Sequence, residues 1–289
     1  MPKVVVLGSI NVDYVAPVAR LPGPGETIKT DRYDTLPGGK GANQALAAAR
    51  NRAETAMVGA VGADGLDAIA LRELRLAGVG LEAVQVQGGA SGLAMIAVDA
   101  QGENQIVVVA GANAHAKADH LPPLNPAAVL VTQNEIAWPQ TARAHHLGRQ
   151  AGATVIHNAA PAHRLTAAEL ANIDVLVVNE HELYLAADND RASTDEKAVG
   201  LLALGVGAVI LTLGAKGARL FESGVAPIHV DAVPTQVLDT TGAGDAFVGA
   251  FAAALAAGLD RAEAVALANA YAARVCGVMG AQTALPPVD

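Results

Sequence analysis

The chain has 289 residues, 52% of them hydrophobic, so it can bury a large core, which excludes a disordered protein. It carries 19 basic and 28 acidic residues, a formal net charge of −9, without a run of Lys or Arg, which argues against a nucleic-acid-binding surface. Its one cysteine, Cys276, excludes an internal disulfide, and a strand-like start without signal-peptide anatomy favours the reducing cytoplasm.

The predicted elements alternate between buried strands and helices along most of the chain. Apolar runs of strand length occupy residues 3–8, 55–61, 128–132, 154–157, 175–178 and 208–213. Helical patterns occupy residues 41–50, 66–77, 138–150, 195–204, 243–257 and 261–275. Near-continuous apolar strands that alternate with helices predict an α/β fold, with a mostly parallel central sheet covered by helices on both faces.

One uncharged stretch, residues 198–215, is as long as a membrane span. Gly200, Gly205, Gly207 and Gly214 interrupt it, so we interpret it as a helix end, a glycine stop and a buried strand. We therefore expect no membrane partner.

Four segments do not follow the alternating strand–helix order: residues of about 11–18, 26–36, 93–98 and 105–110. Residues 26–36 alternate weakly and carry charges, and the last two segments form a hairpin pattern across residues 100–103. We expect them to form antiparallel strands of a small β-sheet lid over the carboxyl ends of the central strands, within a single domain of residues 1–289.

The most informative stretch is the glycine-rich turn Gly242-Ala243-Gly244, followed by Asp245 and a long apolar helix. Free N–H groups at a helix start attract phosphate oxygens, and glycines let an anion approach the backbone closely. Asp245 then stands where it can take a proton from an attacking hydroxyl. The alternative is an ordinary tight turn with an acidic residue in the first helical turn.

Two further stretches indicate a sugar site. Lys40 and Asn43 lie three residues apart at the start of a helix, and an amide can hydrogen-bond sugar hydroxyls in both directions. Asn11 and Asp13 point the same way in an extended backbone, and Asp13 offers two acceptors to a diol. The alternatives are a flexible loop before a helix and an Asx turn. The dinucleotide motif G-x-G-x-x-G is absent after the first strand, which disfavours an oxidoreductase.

Two more stretches follow predicted strands. Asn179 and Glu182 lie three residues apart, so the carboxylate could hold a hydrated Mg²⁺, although the same pattern is typical of a helix cap with a capping-box glutamate. Residues 212–217 place a glycine turn after a strand, which suits the phosphates or ribose of a nucleotide and equally suits a hairpin turn.

Taken together and in this order, these stretches resemble the ribokinase-type carbohydrate kinases, the family that includes adenosine kinase and the minor phosphofructokinase. The resemblance covers nearly the whole chain and also includes residues 102–104 and 111–113. Its most specific parts are the G-G-K-G-A-N stretch from Gly38 and the D-T-T-G-A-G-D stretch from Asp239. The implied fold is a three-layer α/β sandwich with a β-sheet lid.

The resemblance also implies roles for individual residues. The pentose would be bound by Asn11, Asp13, Gly39, Lys40, Asn43 and Glu135, together with Asp245, the catalytic base. ATP would lie along Asn179, Thr212, Gly214, Gly217, Gly244 and Asn269, with Gly242, Ala243 and Gly244 as the anion hole. Glu182 would order Mg²⁺ through water, and a K⁺ loop would use Asp239, Thr241, Val275, Val278 and Gly280. Ala284 stands where the family often has a side-chain oxygen, which counts against full activation by K⁺.

The implied activity is transfer of a phosphoryl group from ATP to the 5-hydroxyl of D-ribose, by a homodimer whose lids interlock. A nucleoside kinase or a kinase for another small sugar is the nearest alternative, because Tyr14 beside Asp13 could stack on a nucleobase. A non-catalytic sugar-binding protein is the alternative of another class. The intact stretch around Asp245 argues against it.

Overall fold

The computed structural model describes residues 1, 3–187, 192–278 and 280–282. The strands are β1 (Val4–Leu7), β2 (Asn11–Pro17), β3 (Asp34–Gly38), β4 (Thr55–Gly62), β5 (Gly80–Gln87), β6 (Gly92–Val98), β7 (Asn104–Val109), β8 (Val129–Thr132), β9 (Thr154–Asn158), β10 (Val175–Asn179), β11 (Ala208–Thr212), β12 (Ala218–Glu222) and β13 (Ile228–Val230). The α-helices are α1 (Lys40–Arg50), α2 (Asp67–Ala70), α3 (Arg72–Leu76), α4 (Trp138–Gln150), α5 (Ala167–Leu170), α6 (Glu180–Ala186), α7 (Thr194–Ala203), α8 (Ala243–Ala256) and α9 (Arg261–Cys276).

The central sheet has nine strands among the described residues, in the order β13-β12-β11-β10-β9-β8-β1-β4-β5. Strands β11 to β5 in this order run parallel, and β12 and β13 add an antiparallel edge. The α/β fold class with a mostly parallel central sheet is therefore confirmed.

Helices cover both faces of this sheet, because successive side chains of a strand point to opposite faces. In β1, Val4 and Val6 belong to the core that includes α1, α8 and α9, whereas Val5 and Leu7 pack in the core that includes α4. Since both faces are buried, each parallel strand is apolar along its whole length, which is the pattern that predicted the fold.

A close approach of α1 and α8 positions the polar residues at their N-terminal ends. At Gly249 in α8, a side chain would collide with the Gln44 carbonyl and the Ala47 side chain of α1. Glycine at this position therefore lets the two helices touch, and it brings the start of α1 next to the start of α8.

A second sheet has the order β3-β2-β6-β7. It pairs β2 with β3 and β6 with β7 in antiparallel fashion, but β2 with β6 in parallel. The expectation of only antiparallel pairs was wrong at that point, because a long chain segment separates β2 from β6 and permits either direction.

Two further sequence expectations were wrong. Residues 26–33 carry no strand, and β3 begins only at Asp34, because the preceding segment is charged and exposed. The helix expected over residues 66–77 divides at Leu71 into α2 and α3. The edge strand β5 was missed because its polar residues, Glu82 among them, face solvent. Among the described residues, no helix is long and apolar enough to span a bilayer.

Candidate active site

Asp245 lies in the first turn of α8, where the chain leaves a glycine turn. Gly242 is the N-cap of this helix, with φ 76° and ψ 1°, a left-handed conformation that favours glycine. A side chain at Gly242 would also lie 2.7 Å from the Cβ of Ala281, whereas one at Gly244 would meet open space. The N–H of Ala243 donates to the Thr240 carbonyl at 3.1 Å, so this one of the three expected anion-binding amides is engaged within the turn.

Two neighbouring amides of α1 hold the carboxylate of Asp245, which is 7% exposed. Asn43 Nδ2 donates to Asp245 Oδ2 at 2.9 Å, and Gln44 Nε2 donates to Asp245 Oδ1 at 2.8 Å. The structure thus joins the two most specific stretches of the sequence. Sequence reasoning named Asn43 but missed Gln44, although it is the next residue of the same stretch.

Lys40 lies within a group of carboxylates. The negative charge of Asp245 raises the pKa of the Lys40 ammonium, burial opposes that rise, and Glu135 and Glu182 add to it. Burial and, to a smaller extent, the charges of Glu135 and Asp245 together raise the pKa of Asp13 to about 7. The predicted sugar-binding carboxylates therefore share one electrostatic environment around a single ammonium.

Backbone geometry positions Asp13 and Glu135. A side chain at Gly38 would overlap the Asp13 carboxylate. Glu135 Oε2 accepts from Ser9 Oγ at 2.5 Å and from the Lys40 N–H at 3.1 Å, so it connects the end of β1 to the start of α1. Gly39 has φ 91°, and a side chain there would lie 2.8 Å from the Asn11 nitrogen.

Asn11 is oriented by a residue that sequence reasoning did not assign. Asn113 Nδ2 donates to Asn11 Oδ1 at 2.7 Å, and Asn113 Oδ1 accepts from the Ile10 N–H at 2.9 Å. The stretch 111–113 was part of the family resemblance, so the signal was present without a role.

Asn179 and Glu182 form a capping box at the start of α6. Asn179 Oδ1 accepts from the Glu182 N–H at 2.8 Å, and Glu182 Oε2 accepts from the Asn179 N–H at 2.9 Å. Burial raises the pKa of Glu182, the Asn179 hydrogen bond and Lys40 lower it, and Asp245 raises it further. The structure therefore contains the helix cap that the sequence pattern allowed. Glu182 also lies within electrostatic reach of Lys40 and Asp245.

The donors around Glu182 fit a hydrated cation better than a direct metal site. Among the described residues, no group of three or more His, Cys, Asp or Glu side chains could hold a metal ion. Since Mg²⁺ usually keeps several waters, the single Glu182 carboxylate fits a contact made through those waters.

The expected nucleotide residues follow β10 and β11. Asn179 and Thr212 are paired at the ends of these adjacent strands. Gly217 has φ 88°, and a side chain there would overlap the Val230 carbonyl. Asn269 Nδ2 donates to that carbonyl at 3.1 Å and to the Asp231 carbonyl at 3.3 Å. Gly217 and Asn269 therefore meet at the same backbone segment, and in this structure Asn269 uses its donor group to hold that segment.

The residues of the expected cation loop are connected by hydrogen bonds. Asp239 Oδ1 accepts from the Thr241 N–H and Oδ2 accepts from the Gly280 N–H, both at 2.8 Å. Burial acts to raise the pKa of Asp239, but these hydrogen bonds outweigh it and lower the pKa. Val275 and Val278 lie on the facing segment, whose Cys276 carbonyl accepts from the Asp239 N–H at 3.2 Å. Ala284 lies outside the described residues.

Gln282 connects this loop to the sugar-side residues, and sequence reasoning missed it. The side chain is buried, and its Nε2 donates to Asn43 Oδ1 at 2.8 Å. Asn43 itself donates to Asp245. Only two side chains, those of Gln282 and Asn43, therefore separate the Asp239 loop from the Asp245 carboxylate.

Comparison with known proteins agrees with this geometry. The model of the pfkB family carbohydrate kinases matches residues 1–287. The chain is 33% identical to a ribokinase of Staphylococcus aureus (strain COL) and 35% identical to one of Bacillus subtilis (strain 168), in each case over 99% of this chain and 97% of the relative. The solved structure of Arabidopsis thaliana ribokinase complexed with ribose and ATP is 32% identical, with a TM-score of 0.88, over 99% of this chain and 96% of that one.

The fold, the connection between the two signature stretches and these comparisons agree over nearly the whole chain. The chain therefore belongs to the pfkB family of carbohydrate kinases, and it is a phosphotransferase with an alcohol group as acceptor.

Proposed function

We propose that this protein transfers the γ-phosphoryl group of ATP to the 5-hydroxyl of D-ribose, which gives ribose 5-phosphate and ADP. The observation that carries the proposal is the Asp245 carboxylate, held by two amides of α1 directly beside the glycine turn at Gly242–Gly244. The names of the curated relatives and the relative solved with ribose and ATP support ribose as the acceptor.

The sugar side of the site combines acceptors and one cation. Asp13 and Glu135 offer carboxylate oxygens to hydroxyl donors, whereas Lys40 and the amides of Asn11 and Asn43 donate to hydroxyl oxygens. A pentose has hydroxyls on adjacent carbons that both donate and accept, so this mixture suits it better than an apolar or anionic ligand.

Asp245 acts on the acceptor hydroxyl. Its carboxylate takes the proton as the hydroxyl oxygen bonds to the γ-phosphorus, and the bond from that phosphorus to the bridging oxygen of ADP breaks in line. The transition state of phosphoryl transfer is loose, so positioning and charge stabilisation matter more than a strong base. A carboxylate suffices because the hydroxyl becomes acidic while the new bond forms.

The nucleotide would lie along Asn179, Thr212, Gly214 and Gly217, with Asn269 holding the neighbouring backbone, and with the amides of Gly242, Ala243 and Gly244 near the transferred group. Bound Mg²⁺ would neutralise phosphate charge, and Glu182 would hold its water shell. The peptide and side-chain oxygens around Asp239, Thr241, Val275, Val278 and Gly280 would bind K⁺. Asp239 fits that role, because its hydrogen bonds favour the charged form of its carboxylate.

The homodimer is part of the proposal. The edge strand β7 is exposed along its length, and Met95, Ile106, Val107, Val108 and Val109 are between 41% and 58% exposed. An open, apolar strand edge promotes pairing, so a second copy would cover this sheet. Sedimentation should give the mass of two chains, and the mass of one chain would refute the dimer. We also place the enzyme in the cytoplasm, where ATP is available and its one thiol stays reduced.

One observation favours a nucleoside as a second candidate acceptor. Tyr14 of β2 and Tyr33 form an edge-to-face pair with ring centroids 5.6 Å apart, and Tyr33 is 64% exposed. An exposed ring in the segment before β3 could stack on a base.

A single assay separates these candidates. ADP release is measured with ATP and Mg²⁺ against ribose, deoxyribose, fructose and adenosine, each with and without K⁺. We expect the highest kcat/KM with ribose and slow hydrolysis without sugar, since closure over the sugar excludes water. A higher kcat/KM with adenosine would favour the nucleoside kinase, and binding of ribose without ADP release would favour a sugar-binding protein.

A further inference from the structure

The side chain of Gln44 is buried beside Asp245 although it is polar. It is 0% exposed, and its amide contacts three other polar side chains. Its Nε2 donates to Asp245 Oδ1 at 2.8 Å and to Asn158 Oδ1 at 3.0 Å, while its Oε1 accepts from Gln133 Nε2 at 2.6 Å. Both the NH₂ group and the oxygen of the Gln44 amide are thus hydrogen-bonded within the protein.

The two partners of Gln44 determine which end of its amide faces Asp245. Gln133 donates to the oxygen of Gln44, which leaves the NH₂ group for the carboxylate. Asn158 is oriented in turn, because its Nδ2 donates to the Val177 carbonyl at 3.2 Å and its oxygen must then accept. The amide therefore cannot turn its oxygen towards Asp245 without breaking this chain of hydrogen bonds.

Gln133 is retained at a cost to stability. It is fully buried, and among the described residues its Oε1 has no hydrogen-bond partner. A buried amide with an unpaired oxygen is less favourable than an apolar side chain of the same shape. The gain from Gln133 is the one hydrogen bond that orients Gln44.

We infer that Gln44 is a positioning residue for the phosphoryl transfer: together with Gln133 and Asn158 it holds the Asp245 carboxylate aimed at the acceptor hydroxyl. The inference rests on the proposed function, in which Asp245 takes the hydroxyl proton. Asn43 secures the other oxygen of the carboxylate, so the two amides fix its plane.

The test replaces Gln44 by methionine, which keeps the volume and removes both donors. We expect kcat to fall about 10- to 100-fold, the range for loss of one hydrogen bond to a charged group, with the KM for ATP unchanged. In an Asp245→Asn background, Gln44→Met should cost less than about twofold, since the two side chains act together.

A second variant guards against an effect of folding. Residue 133 acts on the Asp245 carboxylate only through Gln44. Because Gln133→Met removes a buried oxygen without a partner, the melting temperature of this variant should not fall. Its kcat should nevertheless fall by about two- to tenfold. The matched control is Leu74→Ala, which shortens a buried core side chain of α3. This variant should have a lower melting temperature, while kcat of the folded enzyme should stay within about twofold of the parent.

The possible failures are distinct. Absence of sugar-dependent ADP release in the parent protein, or full activity of Asp245→Asn, overturns the proposed function. If the parent protein does release ADP in response to sugar, and Asp245→Asn is impaired, then a Gln44→Met kcat within twofold of the parent overturns the inference alone. A loss of kcat that is additive with the loss in Asp245→Asn also overturns it, because it would show a purely structural role.

Discussion

Lowering the pH should weaken ribose binding before it affects the fold, because the site contains a carboxyl group that titrates near neutrality. Burial, together with the negative charges of Glu135 and Asp245, raises the pKa of Asp13 to about 7. An ionised Asp13 accepts two hydroxyl hydrogen bonds, whereas a protonated one loses part of that capacity. Ribose should therefore bind to the ionised form and release a proton on binding below pH 7.

The size of the effect comes from the ionised fraction of Asp13. With a pKa of about 7, roughly 3% of the sites are ionised at pH 5.5 and roughly 97% at pH 8.5. Because apparent affinity scales with the fraction of competent sites, the Kd for ribose should rise about 30-fold between pH 8.5 and 5.5.

Isothermal titration calorimetry with ribose in the absence of ATP measures this directly. Two buffers of different ionisation enthalpy at pH 6 should reveal the released proton. Asp13→Asn should bind weakly and with a flat pH dependence, and Asp119→Asn, which removes an exposed carboxyl group, should behave like the parent. A parent Kd that is equal at pH 5.5 and 8.5, or an Asp13→Asn variant that keeps the slope, would refute the reasoning.

The same group has a consequence for the sugar-free protein. A carboxyl group whose pKa is higher in the folded state than its ordinary value of 3.8 binds more protons when folded, so stability falls as the pH rises from about 4 to about 7. At most, this loss amounts to about 4 kcal/mol. Asp13→Asn should therefore be more resistant to urea than the parent at pH 8, although it binds ribose poorly.

Three other predictions concern the proposed base Asp245, the turn at Gly242 and the buried side chain of His145. Asp245→Asn should lower kcat by about 10²–10⁴-fold in the ADP-release assay, the usual range for loss of a general base, and full activity would remove Asp245 from that role. Gly242→Ala should lower the free energy of unfolding by about 1–2 kcal/mol or more in urea titrations, because a side chain is strained at φ 76° and contacts Ala281; an equally stable variant would contradict this. Burial lowers the pKa of His145 to about 4 from 6.5, so the unfolded state takes up a proton first and stability falls as the pH drops from about 6.5 to 4, by up to about 3 kcal/mol. His145→Asn should show a smaller loss between pH 7 and pH 5 than the parent, and an unchanged loss would disprove the assignment.

The fold class was predictable because a buried parallel strand must be apolar on both faces, and strands such as β1 and β10 are. The edge strand β5 was not, since Glu82, Gln85 and Gln87 break its apolar run. The divided helix at Leu71 was also hidden, because its periodicity continues through the break. Hydrophobic periodicity indicates which face of a segment is buried. It does not indicate which strands lie at the edge of a sheet or where a helix is interrupted.

For the site, local sequence determined the turn at Gly242, the acidic residue that follows it and the cap of α6, because each depends on neighbours within a few residues. The sequence by itself left open whether Asn179 and Glu182 form a cap or reach the site, and the structure shows the cap, with Glu182 still in electrostatic reach of Lys40. Both interpretations were compatible with the spacing, since one carboxylate has two oxygens.

Only the tertiary structure decided what holds the Asp245 carboxylate and what Asn269 contacts. Gln44 is 201 residues from Asp245 along the chain, and it reaches the carboxylate only because Gly249 lets α1 and α8 touch. Asn269 donates to the backbone at Val230 and Asp231, a contact across 39 and 38 residues. The physical reason is that a local pattern specifies the conformation and buried face of a segment, whereas the partner of a buried amide depends on how distant segments pack against each other.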